Sequence, residues 1–89
     1  MKIKNGFVLE KVGDSYLACA TGKLAAEFSG FVRMNETGAF LWNTLDSGNC
    51  ESEAELAATL ASEYGVDVAV VEKDVSAFLE ELRNNGILE

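Results

Sequence analysis

The sequence contains no histidine and no proline among its 89 residues. Without histidine, the chain lacks the side chain that most often serves as a general base or a metal ligand near neutral pH. It also has no glycine-rich loop of the kind that cradles phosphates. Its many carboxylates are spread over predicted helices, which is typical of a solvated surface and not of an acid-base pair. We therefore predict no catalytic residue, no metal site, no cofactor and no enzymatic activity.

Cysteines and long apolar runs are also scarce. The two cysteines, Cys19 and Cys50, are not spaced like a zinc or redox pair, so we expect reduced thiols. No stretch comes near the roughly 18 apolar residues that a membrane-spanning helix needs, and the N-terminus lacks the pattern of a signal peptide. A chain of this length has room for one hydrophobic core. We expect a single cytoplasmic domain over residues 1–89, with no membrane partner.

Basic residues are rare in the second part of the chain. Residues 1–35 contain five basic and three acidic side chains, whereas residues 36–89 contain two basic and twelve acidic ones. The acidic part would repel a phosphate backbone, so we predict no nucleic-acid partner. A basic peptide or a basic protein surface is the partner that this charge favours.

The most informative segment is a strand that leads directly into a helix. The strand Phe31–Met34 is followed by Asn35, a favoured N-cap residue. Glu36 then places a carboxylate at the positive end of the helix dipole. Apolar residues at helical spacing continue to Leu45, which predicts a helix from Glu36 to about that residue.

Two strands are predicted before this junction. Residues 7–12 and 16–20 flank turn residues 13–15, and this pattern indicates a β-hairpin. The connection that follows, up to Gly30, contains a predicted helical turn at residues 23–28.

Two further helices follow the junction. A capping box at residues 52–55 opens a helix that ends at Gly65, with Tyr64 on its apolar face. The third helix starts after Asp67 and stops at Gly86, and residues 87–88 are expected to fold back as an apolar clasp. Together these elements predict an α+β, winged helix-turn-helix-like domain in which a three-stranded antiparallel sheet precedes three helices. The predicted core comprises Trp42, Leu45, Leu60, Val75, Phe78, Leu79 and Leu82.

The third strand is expected at an edge of the sheet, where its backbone N–H and C=O groups would be open to a visiting strand. On a helical wheel, the core stripe of the third helix is flanked by Val70, Asp74, Ala77 and Glu81. Two small apolar residues framed by two acids would suit a shallow groove with charged rims. From these residues alone we favour the simpler interpretation that Val70 and Ala77 widen the core contact.

The segment from Phe31 to Trp42 resembles the Leu-Asn-x-Thr-(small)-x-x-(apolar)-Trp signature of the pyrroloquinoline quinone biosynthesis protein D (PqqD) family, with Met34 in place of the usual leucine. The segment from Val71 to Leu88 is similar to the closing pattern of that family. Its anchors are Asp74, Val75, Phe78, Leu79, Leu82 and Gly86. The resemblance extends over residues 7–88.

This resemblance implies a precursor-peptide recognition element. Such a domain binds the leader of a ribosomally made peptide and presents it to a modifying enzyme, often a radical S-adenosylmethionine (SAM) enzyme. The leader is expected to add as a strand to the third strand and to lie against the third helix. Carried over to this sequence, the peptide-binding residues are Gly30, Phe31, Val32, Arg33, Met34, Val70, Asp74, Ala77 and Glu81.

Other interpretations stay open. A winged-helix DNA-binding transcriptional regulator would need a basic third helix, and a structural subunit of a larger enzyme complex would have its strand edge covered by another chain. A homodimer formed by strand swapping or edge pairing is also open. The sequence does not identify the precursor peptide, the partner enzyme or the product of the pathway.

Overall fold

The structure, a computed structural model, describes residues 1–27, 30–48 and 50–88. Its elements are β1 (Phe7–Val12), β2 (Ser15–Ala20), α1 (Leu24–Glu27), β3 (Phe31–Met34), α2 (Glu36–Asp46), α3 (Glu53–Tyr64) and α4 (Val68–Asn84). The predicted α+β class is confirmed, and α1 occupies the place of the predicted helical turn. Phe28, predicted as the end of that turn, and Glu89, the end of the expected domain, lie outside the described residues.

The sheet has the strand order β1-β2-β3, so β3 lies at an edge as predicted. The hairpin turn is shorter than expected, because Val12 pairs with Ser15 and only Gly13 and Asp14 lie between the strands. Gly13 has a φ of 62°. This left-handed conformation at the first central position, with no positive φ at Asp14, is that of a type II′ turn. The turn suits the right-handed twist of the flanking strands.

β3 passes into α2 without an intervening loop. The Asn35 side chain caps the helix, and its Oδ1 accepts a hydrogen bond from the Gly38 N–H at 2.9 Å. A Cβ atom added at Gly38 would lie only 2.8 Å from the Cβ of Met34. A larger residue at position 38 would therefore push α2 away from β3. The cap and the missing side chain together fix the helix close to the strand.

The later helices begin and end near the predicted residues. The Ser52 Oγ accepts a hydrogen bond from the Glu55 N–H at 3.2 Å. The Glu55 carboxylate bonds the Glu51 N–H at 3.0 Å and not the Ser52 N–H of a standard capping box. Gly65 ends α3 in the left-handed conformation, and α4 begins after Asp67. No helix in the described ranges is long and apolar enough to cross a membrane.

The chain beyond α4 folds back onto the N-terminal residues. Gly86 has a φ of 70° and turns the backbone, and Ile87 is then fully buried. The Lys4 N–H donates to the Ile87 C=O at 2.8 Å, while Leu88 forms a β-bridge with Ile3. The predicted apolar clasp is confirmed.

The core lies between the inner face of the sheet and the helices. Six of the seven predicted core residues are buried: Trp42, Leu45, Leu60, Val75, Leu79 and Leu82. Phe78 is the exception, because it is only half-buried and packs at the margin of the core. Tyr64 is also less buried than its predicted position implied. Its hydroxyl lies 3.0 Å from the Thr37 hydroxyl, and this hydrogen bond ties the end of α3 to the first turn of α2.

Candidate functional site

A groove of about 390 Å³ lies between the edge strand β3 and helix α4. Apolar side chains form its floor, charged side chains stand at its rims, and the first turn of α2 closes one side. Its lining residues are Arg33, Met34, Asn35, Thr37, Gly38, Leu41, Asp74, Ala77, Phe78 and Glu81.

The floor of the groove combines residues from three elements. Met34 comes from β3, Leu41 from α2 and Phe78 from α4. Met34 and Leu41 are buried in the core, whereas the half-buried Phe78 leaves part of its surface toward the groove. Because α2 is held tightly against β3, its first turn reaches the same floor. A small apolar side chain entering the groove would therefore meet the exposed part of Phe78, between polar and charged rims.

The α4 wall is formed by Asp74, Ala77 and Glu81, which lie on one helical face because they are three and four residues apart. Asp74 and Glu81 are separated by seven residues, or about 10 Å along the helix. Both are exposed, and within the described residues no side-chain hydrogen bond or ion pair holds either carboxylate. The two acids are thus free to interact with a basic ligand.

The interpretation that Val70 and Ala77 widen the core contact is wrong. Both side chains are exposed, and Val70 keeps 64% of its surface open to solvent. Helix α3 packs against α4, and the buried side chains Val71 and Val75 lie on the core side of α4. Ala77 consequently lines the groove, while Val70 lies one helical turn beyond Asp74 and outside the lined part.

The groove brings together five of the nine predicted site residues. These are Arg33, Met34, Asp74, Ala77 and Glu81. Gly30 lies just before β3, Phe31 points to the outer face of the sheet with 59% of its surface exposed, and Val32 is buried beneath the sheet. The side chains of these three residues do not line the groove, so any part they play is through the backbone of the strand.

Five lining residues were not identified from the sequence: Asn35, Thr37, Gly38, Leu41 and Phe78. The first four belong to the strand-helix junction. The motif that they form was interpreted there only as a helix start. Phe78 was assigned entirely to the core. The sequence does contain a signal that could have identified the junction residues. Only Asn35 separates β3 from α2, so the first turn of α2 must lie beside the end of the edge strand.

The direction of the backbone groups of β3 follows from the hairpin register. Val12 and Ser15 flank a two-residue turn and so form a hydrogen-bonded pair. Hydrogen-bonded and non-bonded pairs alternate along an antiparallel ladder, so the even-numbered residues of β2 bond toward β3. Their partners are Val32 and Met34, whose N–H and C=O groups therefore point into the sheet.

Phe31 and Arg33 are the alternate residues of the same strand. Their N–H and C=O groups point away from β2, toward the open edge beside the groove. Within the described residues, no other strand pairs with this edge. Two donors and two acceptors are thus available to an additional strand.

The family model for coenzyme PQQ synthesis protein D (PqqD) matches residues 17–88. The chain belongs to the PqqD family. The matched range includes β3, α2 and α4, so the groove lies within the part that defines the family. No curated protein sequence matches this chain.

Two solved structures share the fold of this PqqD-family chain. One is described as "TbiB1 in Complex with the TbiA(beta) Leader Peptide". It is 26% identical, with a TM-score of 0.73, over 100% of this chain and 95% of that chain. The other, "Lasso peptide synthetase B1 complexed with the leader peptide", is 23% identical with a TM-score of 0.70, over 99% and 95% of the two chains. At that lower identity, the second structure shows a shared fold and no more.

Proposed function

We propose that this chain is a non-enzymatic adaptor that binds the leader of a ribosomally made precursor peptide. In this proposal it presents the peptide to a modifying enzyme, such as a radical SAM enzyme. The observation that carries the proposal is the open edge of β3 beside a groove on α4. A leader peptide is bound to the 26% identical PqqD-like relative, which supports the same ligand class here.

The leader would bind by adding a fourth strand to the sheet. Its backbone would pair with the N–H and C=O groups of Phe31 and Arg33, which supply affinity without depending on leader sequence. Alternate side chains of a strand point to opposite faces, so every second leader residue would face the groove. Apolar residues at those positions would pack on the half-buried Phe78 and beside Ala77. The groove would therefore select the leader's side chains. The backbone pairing would set the position of the leader along β3.

The rims of the groove indicate the charge of the leader. Asp74 and Glu81 are exposed carboxylates on one face of α4. They belong to the part of the chain, residues 36–89, that carries twelve acidic and two basic side chains. A leader with lysine or arginine beside its apolar anchors would gain attraction at both rims and faster association. Val70, one turn beyond Asp74, would contact a leader that extends past the end of the groove.

The direct test is an amide chemical-shift titration with the leader encoded beside this gene. Shifts are expected at residues 30–34 and 70–81. Shifts confined to the 7–20 hairpin, or none at millimolar peptide, would contradict the proposal.

A proline substitution tests the strand pairing itself. Arg33→Pro removes a backbone donor that points toward the leader, so binding should weaken at least about tenfold. Arg33→Ala is the matched control, because it removes the same side chain and keeps the N–H. Val32→Pro is the less informative variant, since the Val32 N–H points toward β2 and its loss would damage the sheet. Equal leader binding by Arg33→Pro and Arg33→Ala would exclude strand addition at this edge.

Neither alternative function is supported by a specific feature of the structure. The exposed residues of α4 include Glu72, Asp74, Glu80 and Glu81, so this helix would repel the phosphates of DNA. A structural subunit would be expected to have its strand edge covered, and the β3 edge is open within the described ranges. The cytoplasmic location and the single-domain extent over residues 1–89 remain predictions.

A further inference from the structure

The outer face of the sheet, on the side away from α2, α3 and α4, exposes several apolar side chains. The register places Val8, Cys19 and Phe31 in one cross-strand row and Glu10, Leu17 and Arg33 in the next. Val8 is 44% exposed and Phe31 is 59% exposed. Their neighbours along the strands point inward, where Ala18 and Val32 are buried. We call the six residues of these two rows the outer face.

The charges of the outer face are balanced and lie on opposite strands. Glu10 is on the edge strand β1, and Arg33 is on the edge strand β3 in the same row. A two-fold axis in the plane of the interface and parallel to the strands would place β1 of one copy over β3 of the other. Both exposed charges would then meet an opposite charge of the second copy.

We propose that the outer face is the dimer interface of this protein, with a second copy of the chain as its occupant. Glu10 of each copy faces Arg33 of the second copy, and Val8 faces Phe31 of the second copy. Residues of the central strand lie on the axis, so Leu17 and Cys19 each meet the same residue of the second copy. A contact of this kind is isologous and closes after two subunits.

The charge pattern selects this axis over the other arrangement of the same two faces. A two-fold axis perpendicular to the strands would place β1 over β1. If it passed through the Glu10 row, Glu10 would face Glu10 and Arg33 would face Arg33, and these like charges would repel each other. If it passed between the two rows, each charge would face Val8 or Phe31 of the second copy and would be covered without an opposite charge. The remainder of the molecule does not attract a second copy, because each chain carries a net charge of −8. Repulsion is weakened because α2, α3 and α4, which carry most of the acidic residues, pack with the opposite face of the sheet.

The proposed interface is small, so the affinity between the two copies is expected to be low. Rows on one face are about 7 Å apart along a strand, and neighbouring strands are about 5 Å apart. A three-stranded face of this size buries less than the roughly 1,200 Å² typical of stable complexes, so we expect a weak, concentration-dependent dimer. The β3 edge stays open in this arrangement. Dimerisation therefore does not block the edge to which the leader would add. Arg33 belongs to both surfaces, whereas Glu10 belongs to the outer face alone.

A charge swap tests the proposed pairing in the full-length chain by sedimentation equilibrium from micromolar to millimolar concentration. Glu10→Arg replaces two attractive pairs with two repulsive ones and should raise the dimer Kd about tenfold or more. Arg33→Glu should have a similar effect, and the double variant should restore dimerisation because the pairs are reversed. Asp14→Arg is the control, since it changes the net charge equally but lies in the hairpin turn. Glu10→Arg should leave leader binding unchanged.

Crosslinking through Cys19 tests the position of the axis. Facing sheets are about 10 Å apart, too far for a direct disulfide but within reach of a short bismaleimide. Wild type should form a covalent dimer at concentrations where sedimentation detects association, and Cys19→Ser should not, because Cys50 is buried. A monomer at millimolar concentration would overturn the proposal. So would a dimer that resists the charge reversals or that crosslinks without Cys19.

Discussion

The two faces of α4 use the same helical spacing for different purposes. One face carries Val71, Val75, Leu79 and Leu82, and all four are buried. The other carries Val70, Asp74, Ala77 and Glu81, and all four are exposed. Branched apolar side chains make up the whole of the first face, whereas the second face combines two acids and an alanine with the exposed Val70. The comparison indicates that a single helix stabilises the fold with one face and leaves the other, which includes the groove residues Asp74, Ala77 and Glu81, available for the proposed leader binding.

The sharpest test of the buried face is Leu79→Ala. Leu79 is fully buried, and the substitution removes its packing and leaves a cavity. The free energy of unfolding should fall by about 2–5 kcal/mol in a urea titration. A domain of this size has a total stability of roughly 5–15 kcal/mol, so the variant should be close to partial unfolding at room temperature. Glu80→Ala, next to it on an exposed position, is the control and should stay within about 0.5 kcal/mol of wild type.

The sharpest test of the groove face is Ala77→Arg. Arginine has nearly the same helix propensity as alanine, so the fold should tolerate it at this exposed position. Its bulk would fill the groove and displace the leader, which should cost about 2 kcal/mol of binding free energy, or roughly thirtyfold in Kd. Ala58→Arg makes the same change at an exposed position of α3 that does not line the groove. If the two variants bind the leader equally well in a fluorescence titration, the groove is not the binding site.

Phe78 lies at the boundary between the two faces of α4. A substitution there should therefore affect both the stability of the fold and leader binding. It is half-buried against the core and also lines the groove. Phe78→Ala should therefore cost about 1–2 kcal/mol of stability, less than the 3–5 kcal/mol typical of a fully buried phenylalanine. It should also weaken leader binding, since the apolar floor is lost. Phe78→Leu keeps most of the apolar surface and should lose little of either property. A stability loss without any change in affinity would assign Phe78 to the core alone.

Local signals were enough to predict most of the fold. Asn35 and Ser52 carry capping side chains, and Gly65 and Gly86 stop helices through their left-handed backbone. These interactions form within a few residues, so the sequence contains them in full. The predicted starts of α2 and α3 and the predicted ends of α3 and α4 were correct for that reason. The start of α4 after Asp67 has no side-chain capping bond, and the back-folded C-terminus also depends on contacts with Ile3 and Lys4.

The errors concern residues whose environment depends on distant elements. A helical wheel places both Val70 and Phe78 near the core stripe of α4, but their burial depends on how α3 and the other elements pack against that helix. The contribution of Thr37 and Leu41 to the groove depends on the close approach at Gly38. The outward direction of the Arg33 N–H and C=O groups depends on the hairpin register. The turn sets that register, and it is one residue shorter than predicted. Long-range packing of this kind is not encoded in any single segment.

The smallest expected effect concerns the acidic rims of the groove face. Asp74→Asn combined with Glu81→Gln removes two exposed charges while keeping the size of the side chains. Exposed ion pairs contribute little each, so affinity for a leader with basic residues should fall only about three- to tenfold at low salt. Raising the ionic strength shortens the Debye length from about 30 Å at 0.01 M to about 3 Å at 1 M, so the two proteins should converge as salt rises. The matched control, Glu72→Gln with Glu80→Gln, removes the same charge from positions of α4 that do not line the groove. If that control lowers affinity as much as the rim variant, the acidic helices attract the leader through their overall field, and the two faces of α4 differ in packing but not in electrostatic recognition.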